Sequence, residues 1–317
     1  MRIAAVLRQT LETGYTTVRD AGGLPAGIRD AITENLIPGP RMLVSINIIS
    51  PTGGIGEHLS SSGHQSPLLG DPAMPSGVAN GAIEMRTKVR EMVRSGADVI
   101  KFASTGGASS RSGLEPTDML ITRSEIDALV EESHNLGKKV MCHALGGPGL
   151  TESIEAGVNS IEHGTFLHKF PASLDLMAKN SIFFTPTFSV YRHHAEKGTP
   201  HGKRRAQEMA LDHKKSLMAA INSGVKVAAG TDAGGWLHGN NAEELTALVE
   251  AGMTPSQALQ SGTITAAECI GLDGELGSLS PGKIADLVVL NKDPLQSIES
   301  LEFGKSVSLV MKSGLII

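Results

Sequence analysis

Four residues of this chain, Lys101, His143, His163 and Asp232, carry groups that can hold a divalent cation and move protons. Each ends a short apolar or β-branched run: VIKFAS, VMCHA, SIEHG and AAGTDAGG. Imidazole and carboxylate are borderline-to-hard ligands that suit Zn²⁺ or a similar ion. Such an ion lowers the pKa of bound water towards 7 and polarises a scissile carbonyl. Lys101 stands between Ile100 and Phe102, where burial disfavours the ammonium and lowers its pKa. A neutral amine serves as a base, forms a Schiff base, or adds CO2 to become a carbamate, an anion able to bridge metals. Singly, each residue has an ordinary reading: a snorkelling strand-end lysine, two hydrogen-bonded core histidines, an aspartate capping a turn. The coincidence of all four on four runs favours the metal.

Other residues are candidates for touching substrate. The Tyr191 phenol is placed to donate to a carbonyl oxygen as charge develops there. His238 follows Asp232 in the same loop, and His58 and His64 lie in a Gly/Ser-rich stretch. Gly106 and Gly107 allow backbone N–H groups to approach a substrate closely. Arg111 and Arg192 could pair with a substrate carboxylate, although a surface role is the expectation for both. His193, His194, His201 and His213 fall in a charged stretch and are expected on the solvated surface; His134 is expected exposed on a helix. Cys142 alternates with His143 along its run and should face the core.

The elements that must position these groups alternate strictly. Candidate strands are 16–20, 41–47, 98–104, 139–144, 160–163, 182–187 and 226–232. Helical patterns fill the gaps, among them 82–94, 124–136, 204–222 and 242–251. The spacing argues for a parallel sheet with helical crossovers, an α/β barrel whose strands deliver catalytic groups at their C-terminal ends. Seven strands are counted where a closed barrel needs eight, so the first is expected to be missing. The polar loops at 50–76 and 105–117 follow strands, which suits an active-site mouth. After residue 272 the pattern changes. GELGSLSPGKIADLVVLNKDP reads as a hairpin turning at Ser-Pro-Gly-Lys into a buried strand over 285–290, with a last strand at 308–311. The expected division is a barrel over 1–272 and a small β-structure over 273–317.

Composition narrows the classes of function. With 28 Lys+Arg against 33 Asp+Glu and ten Phe, Trp or Tyr residues, there is no cationic face for a nucleic acid. No apolar run approaches the roughly 20 residues that span a bilayer, and the first residues hold no signal-peptide core. Cys142 and Cys269 match no thiolate metal motif. The expectation is a cytoplasmic enzyme acting on a small molecule, with no nucleic-acid or membrane partner.

In chain order, TTVRDAGG, IPGPRM, SPTGG, GADVIKFASTGG, CHALGG, SIEHGT, TPT, AAGTDAGG, GMTPSQAL and LGSLSPGKIADLVVLNKDP resemble the metal-dependent amidohydrolase superfamily. The similarity runs over essentially the whole chain. It is nearest the branch holding prolidase-like dipeptidases, ochratoxin-degrading amidases and imidazolonepropionase-related enzymes. The resemblance implies a (β/α)8 TIM-type barrel with a small β-sandwich. It implies a carboxylated Lys101 bridging two divalent metals, usually zinc, with His143, His163 and Asp232 as further ligands. Asp232 would take the proton from a metal-activated hydroxide that attacks an amide carbon, and Tyr191 would polarise the carbonyl. The implied substrate is a dipeptide or N-acyl amino acid; xenobiotic amides, carbamates or ureas are the alternative. The chain departs from the pattern in lacking a His-x-His motif, and Ile55 stands where the family has a histidine after SPTGG. Three expectations follow: a piece of a longer enzyme, which is favoured; a short form using one metal; or an inactive barrel acting as a binding or assembly partner. An open sheet edge predicts self-association into a homo-oligomer.

Overall fold

The computed structural model describes residues 2–57, 73–108, 114–234 and 238–317. The chain opens with α1 (Arg2–Glu12), β1 (Thr17–Arg19), α2 (Ala26–Thr33), β2 (Arg41–Leu43) and β3 (Ile48–Ile49). It then alternates: α3 (Ala82–Arg94), β4 (Val99–Ala103), α4 (Arg123–Asn135), β5 (Lys139–Ala144), α5 (Gly147–Glu155), β6 (Ser160–His163), α6 (Pro171–Asn180) and β7 (Phe183–Thr185). Helices α7 (Phe188–Lys197), α8 (Pro200–Asn222), α9 (Glu243–Ala251), α10 (Pro255–Ser261) and α11 (Ile264–Ile270) follow. Strands β8 (Leu287–Leu290), β9 (Val307–Lys312) and β10 (Leu315–Ile316) close the chain. Local chemistry sets several boundaries. Thr122 and Glu125 form a capping box at the start of α4, and Thr254 and Gln257 do the same for α10. Thr199 accepts from Gly202 N ahead of Pro200, which opens α8.

Strands β3 to β7 form one parallel sheet in sequence order, and β1 pairs β2 in parallel beside it. Neighbours in sequence are neighbours in space, the winding of a barrel wall. Register fixes which residues share a face. Lys101 pairs Met141, and Ala103 pairs His143; His143 pairs Glu162, and Glu162 pairs Thr185. The opposite face carries Ile100, Phe102, Val140, Cys142, Ile161 and Phe184, all fully buried in the main core. Met85, Val89 and Met92 of α3, Ile126 and Leu129 of α4, and Leu150 and Ile154 of α5 join the same core. Cys142 is thus a core residue, as its alternation with His143 requires.

Three expectations are corrected. The run 226–232 forms no strand: Phe184 bridges Val227, but Ala229 N then turns to Ser261 O and Asp232 is left-handed. The Ser-Pro-Gly-Lys turn does not start a hairpin. Its legs meet through Ile284 N and Glu275 O, while the Lys283 ammonium closes the loop on the carbonyls of Asp273 and Leu276. Strand β8 is half-exposed rather than buried, and it pairs antiparallel with β9 in the order β10-β9-β8. That small sheet is tied to the barrel wall by Arg41, whose guanidinium meets Asp286 at 2.9 Å. Among the described residues no helix is long and apolar enough to cross a membrane.

Candidate active site

The inner face of the wall is polar although it is buried. Lys101 is 4% exposed, His143 7%, Glu162 4% and His163 6%. Strict alternation would send His163 outward with Ile161. Instead His163 takes a left-handed backbone (φ 75°), and its ring turns back over the sheet to 4.5 Å from the His143 ring. Thr187 (φ 60°), after β7, and Asp232 (φ 54°), in the segment after α8, adopt the same conformation. Such backbones cost roughly 1–3 kcal/mol each and cluster where function over-determines them.

Both imidazoles are neutral and both have a fixed tautomer. Burial, with the Lys101 charge nearby, pushes His143 down to about 3. Burial and the surrounding cationic groups push His163 well below the usual histidine range. His143 Nε2 meets the Gly106 carbonyl at 2.9 Å. A carbonyl only accepts, so Nε2 carries the proton and Nδ1 keeps its lone pair. His163 Nδ1 lies 2.7 Å from the Thr187 hydroxyl, which itself donates to Pro186 O at 2.6 Å. With that hydrogen used, His163 Nδ1–H donates and Nε2 keeps the lone pair.

Beneath the imidazoles is an alternating set of charges. Burial lowers the Lys101 pKa, opposed by the carboxylates of Glu162 and Asp232. Asp232 is an exposed residue of its loop, and desolvation of its carboxyl by the groups packed around it raises it to about 6. Arg19, from β1, reaches Glu162 at 3.0 Å, and Ser160 donates to the same carboxylate. The pair holds one positive and one negative charge in the barrel interior, and the Glu162 carboxylate acts on Lys101 more strongly than Asp232 does.

The structure therefore brings His143 and His163 into ring contact beside the Lys101 charge, while the Asp232 charge acts on Lys101 and Tyr191 without joining the two imidazoles in a three-ligand cluster. It adds Tyr191, 7% exposed, whose ring centroid is 6.4 Å from that of His163 and whose hydroxyl meets Thr165 at 2.6 Å. Burial holds the phenol protonated. Gly106 accepts from His143 through its carbonyl, and Gly107 O faces Arg205 at 3.4 Å. His238 is half-buried and bonds to Gly234 within its own loop. His58, His64 and Arg111 lie outside the described residues. Arg192 pairs with Glu250 at the surface, and His134 is exposed.

His213 is the clear correction among the histidines. It is 1% exposed, not solvated, with its ring 4.1 Å from Phe188 and 4.5 Å from Tyr191. The charged residues around it in sequence point the other way from α8. Arg19, Glu162, Thr187 and Arg205 were also absent from the sequence-based set. The inward parity of Glu162 with His143 was a usable signal for one of them.

Two neutral imidazoles with free lone pairs, a desolvated lysine and a nearby carboxylate are a donor set that fits a divalent ion. Among the described residues no three His, Cys, Asp or Glu side chains form a ready cage. The profile of the amidohydrolase family matches residues 1–317. The chain belongs to the amidohydrolase family. As such it is a hydrolase of carbon–nitrogen bonds. Ochratoxinase of Aspergillus niger is 32% identical over 328 residues, covering 99% of this chain and 67% of that protein. The crystal structure of a Xaa-Pro dipeptidase with methionine bound in its active site matches with a TM-score of 0.87 and 33% identity, over 99% of this chain and 77% of its own. A prolidase complexed with N-methylphosphonate-L-proline matches at 0.92 and 30%, over 100% and 78%. These amidohydrolase neighbours give the wall its name, a TIM-type barrel, with the small antiparallel sheet at the C-terminal end.

Proposed function

We propose that this amidohydrolase cleaves the amide bond of a dipeptide or N-acyl amino acid, with Lys101, His143, His163 and Asp232 holding a divalent metal such as zinc. The observation that carries the reading is the pair of neutral imidazoles, each with its ring nitrogen lone pair directed away from a fixed hydrogen bond. The metal, when bound, supplies Lewis acidity towards the scissile carbonyl and its attacking water. Lys101, whose pKa burial lowers, can in its neutral form add its amine to CO2, release a proton and become a carbamate that would offer oxygen to the metal. The Asp232 carboxylate accepts a proton from the attacking water and delivers it to the leaving amine nitrogen. Tyr191 Oη, with Thr165 as partner, donates to the carbonyl oxygen as it gains charge. Arg19 and Glu162 neutralise one another and keep the interior balanced.

The relatives' names support this class of substrate: one is a Xaa-Pro dipeptidase and one a prolidase. The test is a panel of Xaa-Pro, Xaa-Arg and N-acyl amino acid substrates, assayed on metal-loaded and chelator-stripped protein. Turnover of at least one class that disappears on stripping and returns with metal is expected. Turnover indifferent to chelation would overturn the proposal.

A further inference from the structure

Helix α8 lies across the loops that follow β4, β5 and β6. Its buried stripe of Arg205, Met209, His213 and Ser216 touches each in turn. Ser216 donates to Thr165 O at 2.8 Å after β6, and Met209 packs with Leu145 after β5. Arg205 is the least expected member, a guanidinium 5% exposed inside a protein whose other arginines mostly pair at the surface.

Its partners are the two legs of the β4 loop. The legs are joined by the Thr105–Met119 bridge, by Gly106 N to Asp118 O at 3.1 Å and by Leu120 N to Ser104 O at 2.8 Å. A Cβ on Gly106 would stand 2.2 Å from Glu115 O, so the legs are in close contact there. Arg205 Nη1 donates to Leu114 O at 2.9 Å on the returning leg and reaches Gly107 O at 3.4 Å on the outgoing one. Nη2 meets Glu115 Oε1 at 2.8 Å, but that carboxylate is 65% exposed and binds weakly. Nη1 alone reaches a carbonyl on each leg, and Nη2 adds a second hold on the returning one, so the rigid guanidinium plane sets the spacing of the legs. Gly106, next to Gly107 on the outgoing leg, offers the carbonyl that takes the His143 Nε2 hydrogen.

The geometry points to Arg205 as a positioning residue: by clamping both legs of the β4 loop it fixes the Gly106 carbonyl and holds His143 as the Nε2–H tautomer, with Nδ1 free for the metal. This rests on the reading of His143 as a ligand, but the tautomer itself is measurable with no metal present. Outer partners of ligating histidines typically change metal affinity 10–100-fold when lost. Arg205 acts one step further out, so the lower end applies.

The experiment is long-range ¹H–¹⁵N correlation of the histidine rings in metal-free protein, with Zn²⁺ affinity measured separately by competition titration. Wild type shows His143 as a single Nε2–H tautomer. Arg205→Met, which keeps the stem and removes the donors, shows both tautomers and binds Zn²⁺ about tenfold more weakly. Arg205→Lys keeps the charge but ends short of the Nη1 position and lacks the second nitrogen, and shows the same mixing to a smaller degree. Leu217→Ala, in the core face of the same helix, lowers Tm and leaves both readouts at wild type. Mixed tautomers with unchanged affinity would uphold the positioning and overturn His143 as a ligand. A wild-type His143 signal in folded Arg205→Met, or in Arg205→Lys where the former does not fold, would overturn the inference.

Discussion

The two faces of the same barrel wall are equally dry and built from opposite chemistry. Outward, Phe102, Cys142 and Ile161 pack against helices; inward, Lys101, His143 and Glu162 stand one residue away on the same strands. The outer face is held by apolar area and shape, contributions that are local and nearly independent. The inner face is held by matched charges and hydrogen bonds, where each group is tolerable only because another is present. The difference teaches that burial alone does not mark core: the inner face spends stability on a site.

The largest effect that separates the faces is expected from cavity formation outside. Phe102→Ala should cost about 3–5 kcal/mol in denaturant unfolding, while the folded fraction keeps its wild-type metal affinity. Inside, Glu162→Leu strands Arg19 beside Lys101 and should cost about 3–5 kcal/mol. Adding Arg19→Met to that variant should restore most of the loss, which no outer-face pair would show. A double-mutant cycle measures this directly, and additive losses would erase the distinction between the faces.

A third test uses pH. Glu244 of α9 accepts from Phe188 N, Ser189 N and the Ser189 hydroxyl, capping the helix that carries Tyr191. Burial raises it to about 7 from the ordinary 4.5. A raised folded pKa means the contribution is full below the unfolded value and is lost as pH rises through the folded one. Stability should therefore fall by up to roughly 3 kcal/mol between about pH 4.5 and 7 on this account alone. Glu244→Gln should flatten that part of the Tm profile. The smallest effect belongs to His134→Ala. Asn159 Oδ1, its partner at 3.3 Å, also accepts from Val140 N at 2.7 Å, so stability should change by less than about 0.5 kcal/mol and metal content not at all.

Much of this contrast was legible in the sequence where period and parity carried it. Lys139–Ala144 and Ser160–His163 are strands as read, the strand read over 98–104 runs over Val99–Ala103, and Ala82–Arg94 is a helix over the expected residues. Lys101, with apolar residues on both sides, was expected to be buried or at a strand end, and it is buried. What escaped was set by contacts distant in sequence. His213 and Arg205 sit among lysines, arginines and glutamates, yet the spacing 205, 209, 213, 216 is one stripe of a helix. The segment 226–232 has a strand's composition but gives up its ladder because Ala229 bonds to α10. The inward turn of His163 depends on a left-handed backbone that a histidine seldom adopts, and nothing in SIEHG beyond its glycine announces it.

The central claim is that the inner face gathers a metal through Lys101. The most direct measurement is metal content of the purified chain by plasma mass spectrometry, wild type beside Lys101→Ala, with amide hydrolysis assayed on the same samples. Wild type is expected to retain about one equivalent or more of a divalent ion, and Lys101→Ala to lose both metal and turnover. Equal metal and equal turnover in the two proteins would contradict the claim.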